Sequence, residues 1–202
     1  MIEANQLYKT YSIVEKELGL KGSIKAFFHP KKKQIHAVQN ISLTVQKGEI
    51  IGYIGSNGSG KSTTIKMLTG VLYPDQGSVK INGLTPQKHR TAVNKQIGVL
   101  FGQKSHLRWD IPVLESFILH AKIYDVPDKV FEERLEQLID LLQLGDFIHQ
   151  PVRNLSLGQR VRCEFAAIFI HQPAVVFLDE PTIGLDASVK ETIRSFIRFM
   201  NK

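Results

Sequence analysis

An α/β fold interrupted by a block of helices is what this 202-residue sequence predicts, and three observations predict it. Short apolar runs that read as buried strands recur toward both ends of the chain. Between residues 113 and 170 the apolar pattern switches to helical spacing. A glycine-rich stretch, Gly55-Ser56-Asn57-Gly58-Ser59-Gly60-Lys61-Ser62, sits between a strand-like run and a helix-like one.

The elements follow in order. Residues 2–11 read as a strand, and 12–35 as an irregular basic stretch. Residues 36–45 alternate as a strand does, and Gln46-Lys47-Gly48 is a turn. Residues 49–54, Glu-Ile-Ile-Gly-Tyr-Ile, form a short apolar run that reads as a buried strand. A helix over 62–69 follows and ends at Gly70, a residue suited to a helix C-terminus. Residues 77–81 are a strand closed by the Asn82-Gly83 turn, and 97–101 a further apolar strand.

In the helical block, Asp128 is placed to cap a helix over 129–144, and Gly145 to stop it. Its Val130, Phe131, Leu135, Leu138, Ile139 and Leu142 recur at helical spacing. Ser156 is placed to cap the next helix, which runs to about Gln172 before Pro173. Residues 174–178 return to a buried strand, and 189–200 are helix-like. The helical insert is roughly 60 residues, too long for an ordinary loop.

Composition narrows the function classes. Hydrophobic content of 43% is ordinary for a globular chain. The single cysteine, Cys163, forms no intrachain disulfide and is expected to pack in a helix. The opening Met1-Ile-Glu-Ala-Asn-Gln6 does not read as a signal peptide. The longest apolar runs, such as 165–170, are too short to cross a bilayer, so a membrane role is expected through a partner or a surface contact. The net charge of +7 comes from 26 Lys and Arg against 19 Asp and Glu. That excess suits nucleotide, an anionic membrane face or nucleic acid about equally. Neither a recognition helix nor a platform of stacking aromatics argues for nucleic acid.

The glycine stretch fits the pattern G-x-x-x-x-G-K-S/T, a loop that wraps a nucleoside triphosphate. Gly55, Gly58 and Gly60 lack a Cβ, so the backbone can turn tightly and bring successive N–H groups onto phosphate oxygens. Lys61 supplies a point charge to the outer phosphates, and the Ser62 hydroxyl can ligate Mg²⁺. Strand, loop and helix deliver the phosphates to the positive end of the helix dipole. The run Val175-Val-Phe-Leu-Asp179-Glu180 is a hydrophobic strand ending in two acids. Functional groups gather at the carboxyl ends of strands in parallel sheets. Asp179 there can hold Mg²⁺ through water, and Glu180 can orient or deprotonate the water that attacks the γ-phosphate. The plainer alternative is a pair of solvated acids at a strand end.

Between these motifs lies Leu155-Ser156-Leu157-Gly158-Gln159-Arg160. Together the set resembles the ATP-binding cassette (ABC) ATPases, in the family's order and over nearly the whole chain. Residues 55–62 resemble the Walker A, Gln103 the Q-loop glutamine and 155–159 the signature LSGGQ. Asp179 and Glu180 resemble the Walker B aspartate and catalytic glutamate. Ile183-Gly-Leu-Asp186 resembles the D-loop. Tyr11 is placed like the aromatic that stacks on adenine, although a strand-end tyrosine also serves packing.

The resemblance implies a P-loop NTPase core with an N-terminal antiparallel β subdomain and an inserted helical subdomain. Residues 1–202 would form one domain, 1–103 and 174–202 the core with the β subdomain, and 104–173 the helical subdomain. It implies ATP and Mg²⁺ as cofactors. ATP would be bound by Tyr11, by Gly55 to Ser62 with Thr63 after them, and by Ser156, Leu157, Gly158, Gln159 and Asp186. Ser62, Gln103 and Asp179 would serve the metal, and Glu180 and Gln103 catalysis. A second copy of the cassette would pair head to tail, enclosing two ATP molecules. Ser156 Oγ and the Gly158 N–H would then reach the γ-phosphate held by the partner. A membrane permease subunit would place the chain on the cytoplasmic face of the cell membrane.

Three departures stand out. The signature has Leu157 where glycine is common, and the sequence Phe101-Gly-Gln-Lys-Ser-His-Leu-Arg-Trp-Asp110 follows the strand. Both features resemble ATPases of ABC-2-type exporters, including drug and viologen exporter families. The stretch 12–35 is longer than the usual link. Its Ile24, Phe27 and Phe28 beside Lys31, Lys32 and Lys33 are either an amphipathic membrane-facing or subunit-facing element or a solvated loop. Finally, no histidine follows Asp186, so the family's switch histidine and last sheet strands are expected to be missing. A fragment of a longer protein, or a cassette with weak ATP binding and poor hydrolysis, is the expectation. The rival classes are a soluble non-transport ABC ATPase and a nucleotide-binding module without hydrolysis.

Overall fold

The computed structural model describes residues 1–14, 32–102 and 105–201. They fall into two compact units, Met1–Lys47 with Ile51–Arg90, and Gly48–Ile50 with Thr91–Lys202. Residues 15–31, with most of the basic stretch, and Gln103 lie outside the described residues.

The first unit is an antiparallel sheet in the order β2-β1-β3, formed by β1 (Ile2–Val14), β2 (Lys32–Val45) and β3 (Gln76–Ile81). Ile2, Ala4 and Leu7 of β1 are buried with Val38, Val79 and Ile81. Alternation alone would put Leu7 on the opposite face from Ile2 and Ala4. A register shift between Ala4 and Leu7, with Gln6 at φ 48°, inserts the extra residue that turns Leu7 back inward. The Ser42 hydroxyl accepts from the Gln6 amide at 2.8 Å and so satisfies the bulge.

At both ends the expected irregular stretch over 12–35 is strand, in β1 to Val14 and in β2 from Lys32. Tyr11 pairs with Ile35, Ser12 with Gln34 and Ile13 with Lys33. Ladder hydrogen bonds are made by the backbone, so the pairing runs on through lysines even though they are weaker strand formers than valines. The expected buried strand over 49–54 is not found. No strand among the described residues pairs with it, and Ile54 is 94% exposed. An apolar run becomes a strand only where a neighbour offers N–H and C=O groups.

Helix α1 (Lys61–Leu68) closes the first unit with Thr64, Met67 and Leu68 buried. Gly70 ends it in the left-handed region at φ 75°, as the sequence predicts.

The second unit begins with short helix α2 (Arg90–Asn94) crossing into it, and is built on β4 (Ile97–Phe101) and β5 (Val175–Asp179). These pair in parallel, Ile97 with Val175 through Phe101 with Asp179. Parallel neighbours require a long crossover, and here it contains α3 (Val113–Ile123), α4 (Asp128–Leu142) and α5 (Leu157–Phe169). Helix α6 (Ala187–Met200) follows β5. Phe117, Leu138, Leu142, Phe165, Ile168, Ile193 and Phe196 are fully buried in the shared core. Phe169 meets Phe196 edge-on at 4.9 Å between ring centres. Cys163 is buried there too, and burial pushes its thiol up to about 12.

Two expected helix ends move. Asp128 is the first helical residue, not the cap. Pro127 takes the cap position, its carbonyl accepts from the Phe131 amide, and Asp128 pairs with Lys122 instead. The helix also stops at Leu142 rather than 144, because Gln143 turns left-handed at φ 53°. Arg162 explains the early stop. Its Nη1 donates to the carbonyls of Leu142 and Gln143 at 3.1 and 3.0 Å, closing the helix with a cation at its negative end.

One half-buried cluster makes this unit acid-sensitive. His106, His120, Tyr124 and His171 form a chain of ring contacts, with 3.9 Å between the centres of Tyr124 and His171. Burial, and then repulsion from His106, His171 and Arg108, pulls His120 down to about 4. The unfolded chain therefore takes up a proton that the folded one refuses. Stability should be full above about pH 6.5 and fall as the pH drops toward 4, by about 3 kcal/mol in total. Thermal melts against pH should show this slope, and His120→Phe should flatten it.

Candidate functional site

The glycine stretch turns into α1 through two left-handed residues, Gly58 at φ 81° and Gly60 at φ 88°. Gly60 admits nothing larger: a Cβ there would lie 2.1 Å from the Ala37 carbonyl oxygen of β2. The Ser59 amide donates to Ser56 O at 3.2 Å, and the Thr64 amide to Gly60 O at 2.8 Å. No side chain caps α1 at Gly60. Lys61 Nζ folds back over the loop onto the carbonyls of Gly55 and Ser56 at 2.9 and 3.1 Å. Ser62 and Thr63 fill the first turn of α1, and Asn57 lies in the turn ahead of it. A helix N-terminus with no side-chain cap, a backbone turned inward and one ammonium over it fit a polyphosphate.

Tyr11 belongs to the same unit as this loop. It sits on β1 with 38% of its surface exposed, and Lys9 Nζ lies 6.0 Å from its ring centre.

In the second unit Asp179 is the last residue of β5 and pairs with Phe101. Glu180 comes next with φ 54°. A non-glycine residue rarely holds that conformation, and such strain concentrates where a side chain must be aimed. The backbone then turns, the Ile183 amide reaching Glu180 O at 3.5 Å and Leu185 reaching Thr182 O at 3.4 Å.

The stretch 155–160 opens α5 as the sequence predicts. Ser156 Oγ accepts from the Gln159 amide at 3.2 Å, and Gln159 Oε1 accepts from the Ser156 amide at 2.8 Å. This reciprocal pair is a capping box. Asp186 caps α6 with a single bond, accepting from the Val189 amide at 2.8 Å. The two helix starts are fitted together. A Cβ on Gly158 would meet Val189 Cγ2 at 2.9 Å, and one on Gly184 would meet Leu157 Cδ2 at 3.4 Å. Leu157 itself stays 43% exposed.

Sequence reasoning missed Glu164, a buried acid on α5. Its signal was an acid inside the otherwise apolar run Cys163 to Ile170.

Comparison with known proteins gives the class. Residues 38–183 match the family model described as ABC transporter. The chain is 33% identical over 175 residues to the ABC transporter ATP-binding protein NatA of Bacillus subtilis (strain 168), covering 87% of this chain and 71% of that protein. It is 33% identical over 183 residues to the methionine import ATP-binding protein MetN 2 of Enterococcus faecalis (strain ATCC 700802 / V583), covering 89% of this chain and 53% of that one. Among solved structures, the cassette MJ0796, a dimer in a post-hydrolysis state bound to ADP and Pi, superposes with a TM-score of 0.78 at 22% identity. That match covers 100% of this chain and 83% of the other.

The chain belongs to the ABC transporter family, as its ATP-binding cassette. This is a class of ATPase domain that works on ATP with Mg²⁺. Its fold is the α/β cassette with an N-terminal antiparallel sheet and an inserted helical block.

Gly60→Ala tests the loop geometry, with Gly48→Ala as its control. Both positions are left-handed, but a Cβ at Gly48 has nothing within 4 Å. Gly48→Ala should cost about 1 kcal/mol. Gly60→Ala should cost clearly more in thermal or urea unfolding, because Ala37 backbone must move.

Proposed function

We propose that this chain binds and hydrolyses ATP to power a membrane exporter of the ABC-2 type. It acts as a head-to-tail dimer at the cytoplasmic face of the cell membrane, bound there through its permease. One observation carries the nucleotide part: the glycine loop of Gly55 to Ser62 enters α1 without a side-chain cap, under the Lys61 ammonium. Among the described residues, no helix is long and apolar enough to cross a membrane, in keeping with a cassette that reaches the membrane through a partner.

Each residue then has a task. Gly55, Ser56, Asn57, Gly58, Ser59 and Gly60 direct amides at the phosphates, with Lys61 neutralising the outer ones and Ser62 and Thr63 following. Ser62, Gln103 and Asp179 hold Mg²⁺, which draws charge from the β- and γ-phosphates. Glu180 positions the attacking water and accepts its proton. Tyr11 stacks on adenine. Ser156, Leu157, Gly158 and Gln159 face the γ-phosphate bound by the second copy, beside Asp186. The chain is one domain, with 104–173 as its helical subdomain.

The exporter assignment rests on Leu157 in the signature and on the sequence 101–110. The relatives' names do not decide direction, since one of them is an import protein. A cognate membrane subunit that copurifies with the cassette, and outward transport by the pair in vesicles, are the expected results. Inward transport would overturn the assignment. A second reading is nucleotide binding without hydrolysis.

Glu180→Gln separates the two. MgATP affinity should stay within about threefold while turnover falls by about a hundredfold or more. With MgATP the variant should elute as a dimer in size-exclusion chromatography. Wild type hydrolysing no faster than the variant would leave binding as the whole function.

A further inference from the structure

The second unit contains a buried carboxylate that no part of the ATPase reading uses. Glu164 lies on α5, about two turns after Ser156, and is 6% exposed. Its neighbours Phe165, Ala166 and Ala167 are wholly buried. A charge in such a place persists only where hydrogen bonds replace its lost water.

Those bonds all go to one loop. Ser105 Oγ donates to Oε1 of Glu164, and the His106 amide donates to Oε2 at 2.9 Å. Each oxygen thus holds a different residue of a consecutive pair, a charge-assisted clamp that fixes orientation as well as distance. The loop is tied on two further sides. His106 Nε2–H donates to Val99 O of β4 at 2.7 Å. The Arg108 amide donates to Ser116 Oγ of α3 at 3.0 Å, and Ser116 is itself buried.

The place in the chain gives the clamp its meaning. β4 ends at Phe101, held in register with Asp179. Four residues later, Ser105 is held by α5. The described residues on the two sides of Gln103 in sequence are thus each held, Phe101 by β5 and Ser105 by the helix that Ser156 begins.

We propose that Glu164 is a positioning residue. It makes loop 105–107 and the Ser156-capped helix a single mechanical piece, and ATP turnover depends on that tie. The dependence on turnover rests on the ATPase reading above; the tie itself does not.

The test uses the whole chain, in wild-type form and as Glu164→Gln, Glu164→Ala and Ser105→Ala. Hydrogen exchange reads the tie. In Glu164→Ala, amides at 105–107 and at 156–160 should speed up together by about fivefold or more, with those of α1 unchanged. Steady-state kinetics read the consequence. In Glu164→Gln, KM for MgATP should stay within about twofold while kcat drops about tenfold. Ser105→Ala should move kcat the same way, and with Glu164→Ala the two losses should be less than additive, since both remove the Ser105–Glu164 bond, while Ser105 Oγ also accepts from the Leu107 amide at 3.1 Å.

Exchange that speeds up at 105–107 alone overturns the proposal. So does an unchanged kcat in both Glu164→Gln and Ser105→Ala, or a kcat loss that merely follows the fraction folded. Should wild type hydrolyse no ATP, the ATPase reading falls, while paired exchange still upholds the tie and unpaired exchange removes it. If Glu164→Ala fails to fold, exchange in Glu164→Gln and Ser105→Ala decides in its place.

Discussion

The close approach of Gly60 to the Ala37 carbonyl is the constraint on which the glycine loop depends. With 2.1 Å between that oxygen and an imagined Cβ, the end of the loop has one residue choice and one backbone conformation. β2 thereby fixes where α1 starts. Because Gly60 carries no side chain, nothing from the cap residue itself competes for the first amides of the helix. α5 and α6 are the contrast. Ser156 and Asp186 each close their own helix start with a side-chain oxygen. α1 shares its lack of a side-chain cap with α3 and α4, whereas the starts of α5 and α6 are completed from within.

In the second unit the constraint is a parallel pair of strands. β4 and β5 must be joined by a long crossover, and the helical block is that crossover. Its consequence is that the acids at the end of β5 and the capped start of α5 belong to one packed body. Glu180 is held in a strained left-handed conformation directly after the strand. α5 then serves three neighbours at once. Arg162 ends α4, Glu164 holds loop 105–107, and Gly158 packs on Val189 of α6.

Legibility followed the locality of the signal. Ser156 was readable as a cap because a capping box lies within four residues, and Gly70 as a helix end because its backbone demand is its own. The turn of the glycine stretch into α1 was readable for the same reason. What failed depended on distant partners. Residues 49–54 look like a strand, but strand identity lies in the neighbour and not in the run. Asp128 has the right chemistry for a cap, yet Pro127 takes the position and Lys122 takes the carboxylate. The end of α4 depends on Arg162, 20 residues downstream of the carbonyl it binds. Glu164 was hidden most deeply, since its donors lie 58 and 59 residues away.

The account stands on Lys61 and the amides before it receiving a triphosphate in the presence of a divalent ion. Titration calorimetry of the whole chain with ATP measures this most directly, run with Mg²⁺, with chelator, and on Lys61→Ala. Saturable binding that needs Mg²⁺ and is lost in the variant is the expected result. Binding indifferent to both Mg²⁺ and Lys61, or no binding by a well-folded sample, would contradict it.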